Sequence, residues 1–297
     1  MKKNIVTRVC MVMMTGMMIA GCGKSTEKPA EQEAPVEAQV EESADEADSK
    51  EASDGTGSAS IETASESDFE LGSVGDVIGI VKYTGSAENV VIPDVIDGVT
   101  ITAIGNAFSN NETMKTVEIP DTVEVIGKNA FFQCDSLEAV KMSSNVKVID
   151  EYAFGMCSNL KTITLPEKLE KIGESAFTDT GLEEIELPSK LSEMEAYAFA
   201  GANIKRIVIP SNVKIISELS FELCENLEEV TIENGVESIG ESCFEDCGQL
   251  KSIYIPDSVK EIQEYAFSGC DNVTIVTTAG SYAETYANEN GIPCEIQ

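Results

Sequence analysis

Residues 21–26, GCGKST, are of types that can hold phosphate. In a nucleotide-binding P-loop, backbone N–H groups, a lysine and a hydroxyl arranged in this way bind the phosphates of a nucleotide. The motif needs its first glycine five residues before the Gly-Lys pair, where this chain has Met18. It also needs a strand before it and a helix after it, whereas an acidic segment follows here. The flanking sequence therefore disfavours nucleotide binding.

The residues before this stretch have the layout of a secretory signal. A basic region precedes an almost uninterrupted apolar run over 9–20, which is too short to span a bilayer as a permanent helix. Ile19–Cys22 resembles the lipobox of bacterial lipoproteins, and the resemblance implies a diacylated Cys22 as the mature N-terminus. We therefore predict a signal peptide at 1–21 and an extracytoplasmic protein that is anchored to the bacterial cell membrane by lipid. An unlipidated secreted protein is the alternative.

The composition excludes most classes of enzyme. Because the chain has no His, Ser-His-Asp and Cys-His catalysis, His-ligated metal sites and the commonest general base are removed. Carboxylate or Ser-Lys chemistry stays possible in principle, but no carboxylate pair stands out among the many exposed acids. The acidic residues form no D-x-D-x-D-G loop, which leaves calcium a weak possibility. We predict no catalysis, no cofactor and no metal site.

The chain is strongly acidic, with a formal net charge of −33 at pH 7. Such a surface repels nucleic acid, and it either favours cationic partners or serves solubility alone. Residues 22–68 are rich in Glu, Ala, Ser and Asp and nearly free of aromatics. This segment cannot bury enough apolar area to offset chain entropy, so we predict a disordered acidic linker that carries the rest of the chain.

From residue 71 onward the chain repeats a unit of 22 or 23 residues, L-x-x-I-x-I-P-x-x-V-x-x-I-G-x-x-A-F-x-x-C. The x-I-x-I part alternates like a strand with one buried face, and the V-x-x-I-G and A-F parts are predicted to form a second wall. One unit cannot bury its apolar face, so the units must stack into a solenoid with a continuous core. The repeat phenylalanines are Phe108, Phe131, Phe154, Phe177, Phe199, Phe221, Phe244 and Phe267.

This unit resembles the BspA-type (LRR 5) leucine-rich repeat over roughly residues 77–297. The resemblance implies a right-handed, mainly β solenoid of about eight repeats, in surface-exposed proteins that are often linked to adhesion or host interaction. It implies no shared ligand. The end of the chain is similar to the family's C-terminal cap, with a short helix predicted over Ser281–Asn290. We predict one leucine-rich-repeat domain with its cap at 69–297. Ser143 replaces the repeat proline, and the repeat glycine is replaced at Asp150, Glu195, Ser217 and Gln263.

Five cysteines stand three residues after a repeat phenylalanine, where other repeats have Asn111, Thr180 and Ala202. Because Ala and Thr replace Cys there, we predict a small buried slot that holds a ladder of structural thiols. Disulfides between repeats, or a metal, are the alternatives. The five are Cys134, Cys157, Cys224, Cys247 and Cys270.

Charge alternates in the residue after the leading Leu, Met or Ile of each repeat. Opposite charges would lie side by side in neighbouring repeats, and we predict that they help define the stacking order. The column is Lys115, Glu138, Lys161, Glu183, Lys205, Glu228 and Lys251.

The outward side chains of the x-I-x-I segments form the predicted binding face, because an extended solenoid sheet is a pre-organised surface. Its residues are Thr116, Glu118, Lys141, Thr162, Thr164, Glu184, Glu186, Arg206, Val208, Glu229, Thr231, Ser252 and Tyr254. We expect non-catalytic recognition of a protein or glycan on a host, a neighbouring cell or the cell's own wall. The alternatives are a structural cell-envelope component and a hydrolase or solute-capture lipoprotein, which would need a deep pocket.

Overall fold

Short strands make up most of the regular structure in residues 64–297, the part of the chain that the computed structural model describes. The predicted signal peptide, the lipid site at Cys22 and most of the acidic linker lie outside this part. A 3₁₀ turn at Glu66–Asp68 comes first, and one helix, α1 (Tyr282–Asn290), precedes the last strand. In chain order the strands are β1 (Phe69–Val74), β2 (Val77–Tyr83), β3 (Asn89–Val91), β4 (Val95–Ile96), β5 (Val99–Thr100), β6 (Ala103–Ile104), β7 (Thr116–Glu118), β8 (Val125–Ile126), β9 (Ala139–Lys141), β10 (Val148–Ile149), β11 (Thr162–Ile163), β12 (Lys171–Ile172), β13 (Glu193–Met194), β14 (Arg206–Ile209), β15 (Ile215–Ile216), β16 (Glu229–Ile232), β17 (Ser238–Ile239), β18 (Ser252–Tyr254), β19 (Glu261–Ile262), β20 (Thr274–Thr277) and β21 (Cys294–Ile296).

Two parallel ladders run along a β-solenoid of about nine coils, where a coil is one revolution of the chain. The x-I-x-I segments form the first ladder, in the orders β3-β7-β9-β11 and β14-β16-β18-β20-β21. The V-x-x-I segments form the second ladder, in the orders β2-β6-β8-β10-β12-β13 and β15-β17-β19. The predicted solenoid is therefore confirmed, and a ninth coil begins at β20, beyond the eight repeats that contain the phenylalanine.

The A-F segments form a third side instead of sharing the second wall predicted for them. In every repeat after the first, the residues two before and two after the phenylalanine have positive φ, for example 56° at Asn129 and 55° at Gln133, so the backbone cannot continue as a strand. Successive coils still hydrogen-bond there, since the N–H of Phe131 donates to the carbonyl of Ala153 at 2.8 Å. Sequence alternation alone did not separate this side from the second ladder.

The repeat phenylalanines form one continuous stack inside the solenoid. Neighbouring rings are 5.0–5.6 Å apart between centroids and lie within 9° of parallel. Phe69 and Tyr83 continue the aromatic cluster at the N-terminal end, and Tyr286 meets Phe267 at the C-terminal end. Burial of the rings together with the inward Ile, Val and Leu of both ladders supplies the main stabilisation of the fold.

Both ends of the solenoid are capped. The antiparallel hairpin β1–β2 pairs with β6, and Gly79 comes so close that a Cβ there would lie 2.3 Å from the carbonyl oxygen of Ala103. At the other end the hydroxyl of Ser281 accepts a hydrogen bond from the N–H of Glu284 at 3.0 Å and begins α1. The helix ends at Gly291 with φ 69°, after which β21 pairs with β20. The predicted cap helix is thus found, one residue shorter at its start.

Several departures from the repeat add side-chain hydrogen bonds between coils. Ser143 stands where most repeats have proline, and its hydroxyl donates to the carbonyl of Val123 at 2.8 Å. Glu195 and Gln263 stand at the glycine position, and a side-chain oxygen of each accepts from a backbone N–H of the preceding coil, both at 3.0 Å. Each substitution therefore ties two coils together.

Candidate functional site

The thirteen residues of the predicted binding face lie where the sequence places them, on the outward side of the first ladder. All are exposed or half-buried, while the residues between them, such as Val117 and Val140, are buried. Glu118 lies beside Lys141, and Val208 lies beside Thr231 in the next coil. The outward side chains therefore form two rows along the solenoid. We call this surface the ladder face.

The cations of the ladder face are held by carboxylates of neighbouring coils. Lys141 pairs with Glu118, and Arg206 Nε lies 3.1 Å from Oε2 of Glu229. These groups are exposed to solvent, so the pairs add little stability. They do restrict the orientation of the long basic side chains.

The alternating charge column lies directly beside the ladder face and forms ion pairs between coils. Three of its lysines bind a glutamate of the preceding coil, each at 2.8 Å; the pairs are Lys115–Glu88, Lys205–Glu183 and Lys251–Glu228. The hydrogen bond from Lys205 holds the pKa of Glu183 below its usual value. Neither Glu138 nor Lys161 makes an ion pair within residues 64–297. The prediction therefore holds for part of the column.

Reversing the charge at Glu183 should lower the melting temperature more at low salt than at high salt. Glu183→Lys places a cation beside Lys205 in the next coil, and salt screens the resulting repulsion. The measurement is thermal unfolding by circular dichroism at low and at high sodium chloride. Glu186→Lys is the matched control, because it changes the charge equally and Glu186 has no ion pair within the described residues. Equal losses at both salt concentrations would contradict an electrostatic role for the column.

A second alternating column lies along the second ladder and was not recognised in the sequence. Lys147 Nζ is 2.7 Å from Oε2 of Glu124, and its backbone N–H donates to the Glu124 carbonyl at 2.8 Å. The signal was present in the residue three positions before the repeat glycine, where charge again alternates apart from one serine. The column is Glu124, Lys147, Glu170, Ser192, Lys214, Glu237 and Lys260.

The cysteines of the predicted slot form a ladder of thiol hydrogen bonds. Each donates to the phenylalanine carbonyl of the preceding coil, as in Cys134 Sγ to Phe108 O at 3.1 Å. All seven cysteines of the described residues are free thiols, and only Cys294 is not fully buried. Burial raises the pKa of Cys224 to about 12. The arrangement holds coils together and keeps the sulfur atoms away from solvent.

Two further features of the described residues bear on chemistry. No group of three or more Cys, Asp or Glu in residues 64–297 is arranged to hold a metal ion. A groove of about 680 Å³ lies on the second ladder between Lys214 and Lys260, away from the ladder face. Lys214 Nζ already donates there to the carbonyls of Ser211 and Gly235.

Within residues 64–297, no helix has the length and apolar character to cross a membrane.

Known proteins with the same repeat are similar to this chain. The family profile of the BspA type leucine rich repeat region matches residues 81–204 and 192–288. Among solved structures, a leucine rich repeat protein of T. pallidum is 29% identical, with a TM-score of 0.59, over 64% of this chain and 91% of its own. A leucine-rich repeat protein from Bacteroides ovatus is 21% identical, with a TM-score of 0.46, over 70% of this chain and 83% of its own. A leucine rich cell surface protein from Faecalibacterium prausnitzii is 22% identical, with a TM-score of 0.32, over 75% and 96%. A comparison with curated protein sequences finds no match.

Proposed function

Because this chain belongs to the BspA-type leucine-rich repeat family, we propose that it is a bacterial surface lipoprotein that binds a protein or glycan without catalysis. The ladder face is its binding surface in this proposal. The observation that carries the proposal is the register of the first ladder, which aligns outward side chains of successive coils in two rows. A surface of this kind is long and pre-organised, so affinity can be built from many shallow contacts.

The side chains of the ladder face suit recognition of a partner. Lys141 and Arg206 are already held by neighbouring carboxylates, so less side-chain entropy is lost when a partner binds them. Val208 is 51% exposed and Tyr254 is half-buried, and both offer apolar contact area among polar neighbours. Threonine hydroxyls at positions 162, 164 and 231 add hydrogen-bonding groups.

Display at the cell surface is supported by the N-terminal sequence. The lipobox-like Ile19–Cys22 would fix the chain to the membrane through a diacylated Cys22, and the acidic segment up to residue 68 would hold the solenoid clear of the lipid. Proteins of this repeat type are often found at cell surfaces. The partner in this proposal belongs to a host, to a neighbouring cell or to the producer's own wall.

Removing three side chains of the ladder face should abolish capture of the partner. The variant Lys141→Ala, Arg206→Ala, Tyr254→Ala in residues 64–297 loses two cations and an aromatic ring without touching the buried rows. The measurement is a pull-down against matrix proteins, surface glycans and bacterial cell wall, and we expect one of these classes to be retained by the parent and lost by the variant.

The matched control removes two cations and a tyrosine elsewhere on the solenoid. Lys147→Ala, Lys260→Ala, Tyr265→Ala takes two lysines from the second ladder and an exposed tyrosine from the third side. Equal loss in both variants would move the site away from the ladder face. Capture of nothing by the parent would favour a structural role in the cell envelope over recognition.

A further inference from the structure

Both ladders stop at the same interface between two coils. The first ladder ends after β11 with a single bridge from Thr162 to Glu184 and resumes at β14. The second ladder ends at β13 and resumes at β15. The fifth coil, residues 184–202, and the sixth coil, residues 206–224, therefore share no strand pairing. We call this interface the seam.

Few polar contacts replace the missing strand pairs at the seam. The N–H of Lys205 donates to the carbonyl of Glu183 at 3.2 Å. In the second ladder the hydroxyl of Ser217 donates to the carbonyl of Met194 at 2.6 Å. Between the two ladders the side-chain amide of Asn212 donates to the carbonyl of Ser189 at 2.6 Å. At the next interface, by contrast, β14 and β16 pair over four residues and β15 pairs with β17 over two. The seam is therefore the weaker of the two interfaces in backbone hydrogen bonding.

The seam coincides with the two shortest repeats of the chain. The intervals from Phe177 to Phe199 and from Phe199 to Phe221 have 22 residues, and the others have 23. The missing residue falls in the corner that precedes the first-ladder segment. Gly181 lies in one of these shortened corners, where a Cβ would come within 2.2 Å of the carbonyl oxygen of Ser158. The seam therefore lies between the two coils that each follow a shortened corner.

The third side stays continuous across the seam. Phe199 N–H donates to the carbonyl of Ser220 at 2.9 Å, and Gly201 N–H donates to that of Glu222 at 2.8 Å. The rings of Phe199 and Phe221 are 5.6 Å apart, within the range of the whole stack. The thiol of Cys224 also bonds across the seam to the carbonyl of Phe199 at 3.1 Å.

We infer that the seam is a hinge, at which the two halves of the solenoid bend about the continuous third side. Bending opens and closes the two ladders, where little backbone hydrogen bonding resists it. In the structure the seam is closed, since Ile185 and Ile207 on its two sides are buried. Glu184 and Glu186 lie in the coil on one side of the seam, and Val208 lies in the coil on the other side. Bending at the seam therefore changes the curvature of the ladder face at its centre. The inference of a hinge does not depend on whether the ladder face binds a partner.

Hydrogen exchange followed by mass spectrometry on the full-length chain tests the hinge. We expect the amides of 206–209 and 215–217 to exchange about tenfold faster than those of 229–232 and 238–240, because only the first two sets border the seam. Equal protection of the two pairs of segments would overturn the hinge. The comparison is made within one molecule, so it does not depend on a variant that folds.

A variant with restored repeat length provides the second measurement. Insertion of one serine after Thr180 and one after Ala202 gives both corners the length of the corresponding corners in the 23-residue repeats. We expect exchange in 206–209 and 215–217 to slow to the level of 229–232. Unchanged exchange in a variant with native near-ultraviolet circular dichroism would overturn the assignment of the hinge to the short corners.

Discussion

Replacing Phe154 with alanine is expected to lower the free energy of unfolding by about 3–5 kcal/mol. The ring is fully buried and stacks on Phe131 at 5.1 Å and on Phe177 at 5.5 Å, so its removal leaves a cavity between two coils. The main chain there is tied to both neighbouring coils, which limits collapse into the space. Urea unfolding followed by far-ultraviolet circular dichroism gives the loss from the shift of the midpoint.

Phe132→Ala is the matched control for this stack. Phe132 follows the stacked Phe131 directly in the chain, but its ring is half-buried, and its one aromatic neighbour within the described residues is Tyr152, edge-on at 5.6 Å. Its replacement should cost about 1 kcal/mol, the usual size for a substitution of this kind. If the two variants lost the same stability, the phenylalanine stack would not be the main source of stability at this coil.

The repeat sequence is enough to predict the solenoid, because its alternation decides which side chains face inward. Ile163 and Leu165 flank Thr164, and the structure buries the first two and exposes the third. The same alternation predicts every outward residue of the ladder face. The cap helix was predictable as well, since Ser281 is a favourable N-cap and Gly291 a favourable C-cap.

Backbone conformations that do not depend on alternation could not be predicted in this way. On the third side, Tyr152 and Met156 adopt positive φ although their side chains do not favour it, and hydrogen bonds between coils hold them there. The seam is a break in strand pairing beside the two shortest repeats. The two 22-residue intervals are visible in the sequence, but their effect on pairing is visible only in the structure.

The ion pairs of the candidate site were predicted in part for a related reason. Charge alternates through Lys161, yet this lysine makes no ion pair within residues 64–297. Its Nζ lies against the shortened corner, 3.0 Å from where a Cβ of Gly181 would be. Sequence spacing gives the order of the charges along the column. Side-chain direction is then set by the local corner.

Thiol labelling of residues 64–297 is expected to modify one cysteine quickly and the other six only after unfolding. Cys294 is half-buried on the last strand, whereas the other six lie inside the solenoid. Burial raises the pKa of Cys224 to about 12, so at pH 8 almost none of that thiol is ionised and reactive. The measurement is the number of maleimide adducts by mass spectrometry, before and after addition of guanidinium chloride.

Cys294→Ser is the control, and it should remove the fast adduct while leaving six that appear on unfolding. Two or more fast adducts in the parent would contradict a closed thiol ladder. Fewer than seven adducts after unfolding would show that thiols of neighbouring coils had been oxidised to a disulfide. We expect seven, because each ladder thiol donates to a carbonyl of the preceding coil inside a core that solvent oxidants do not reach.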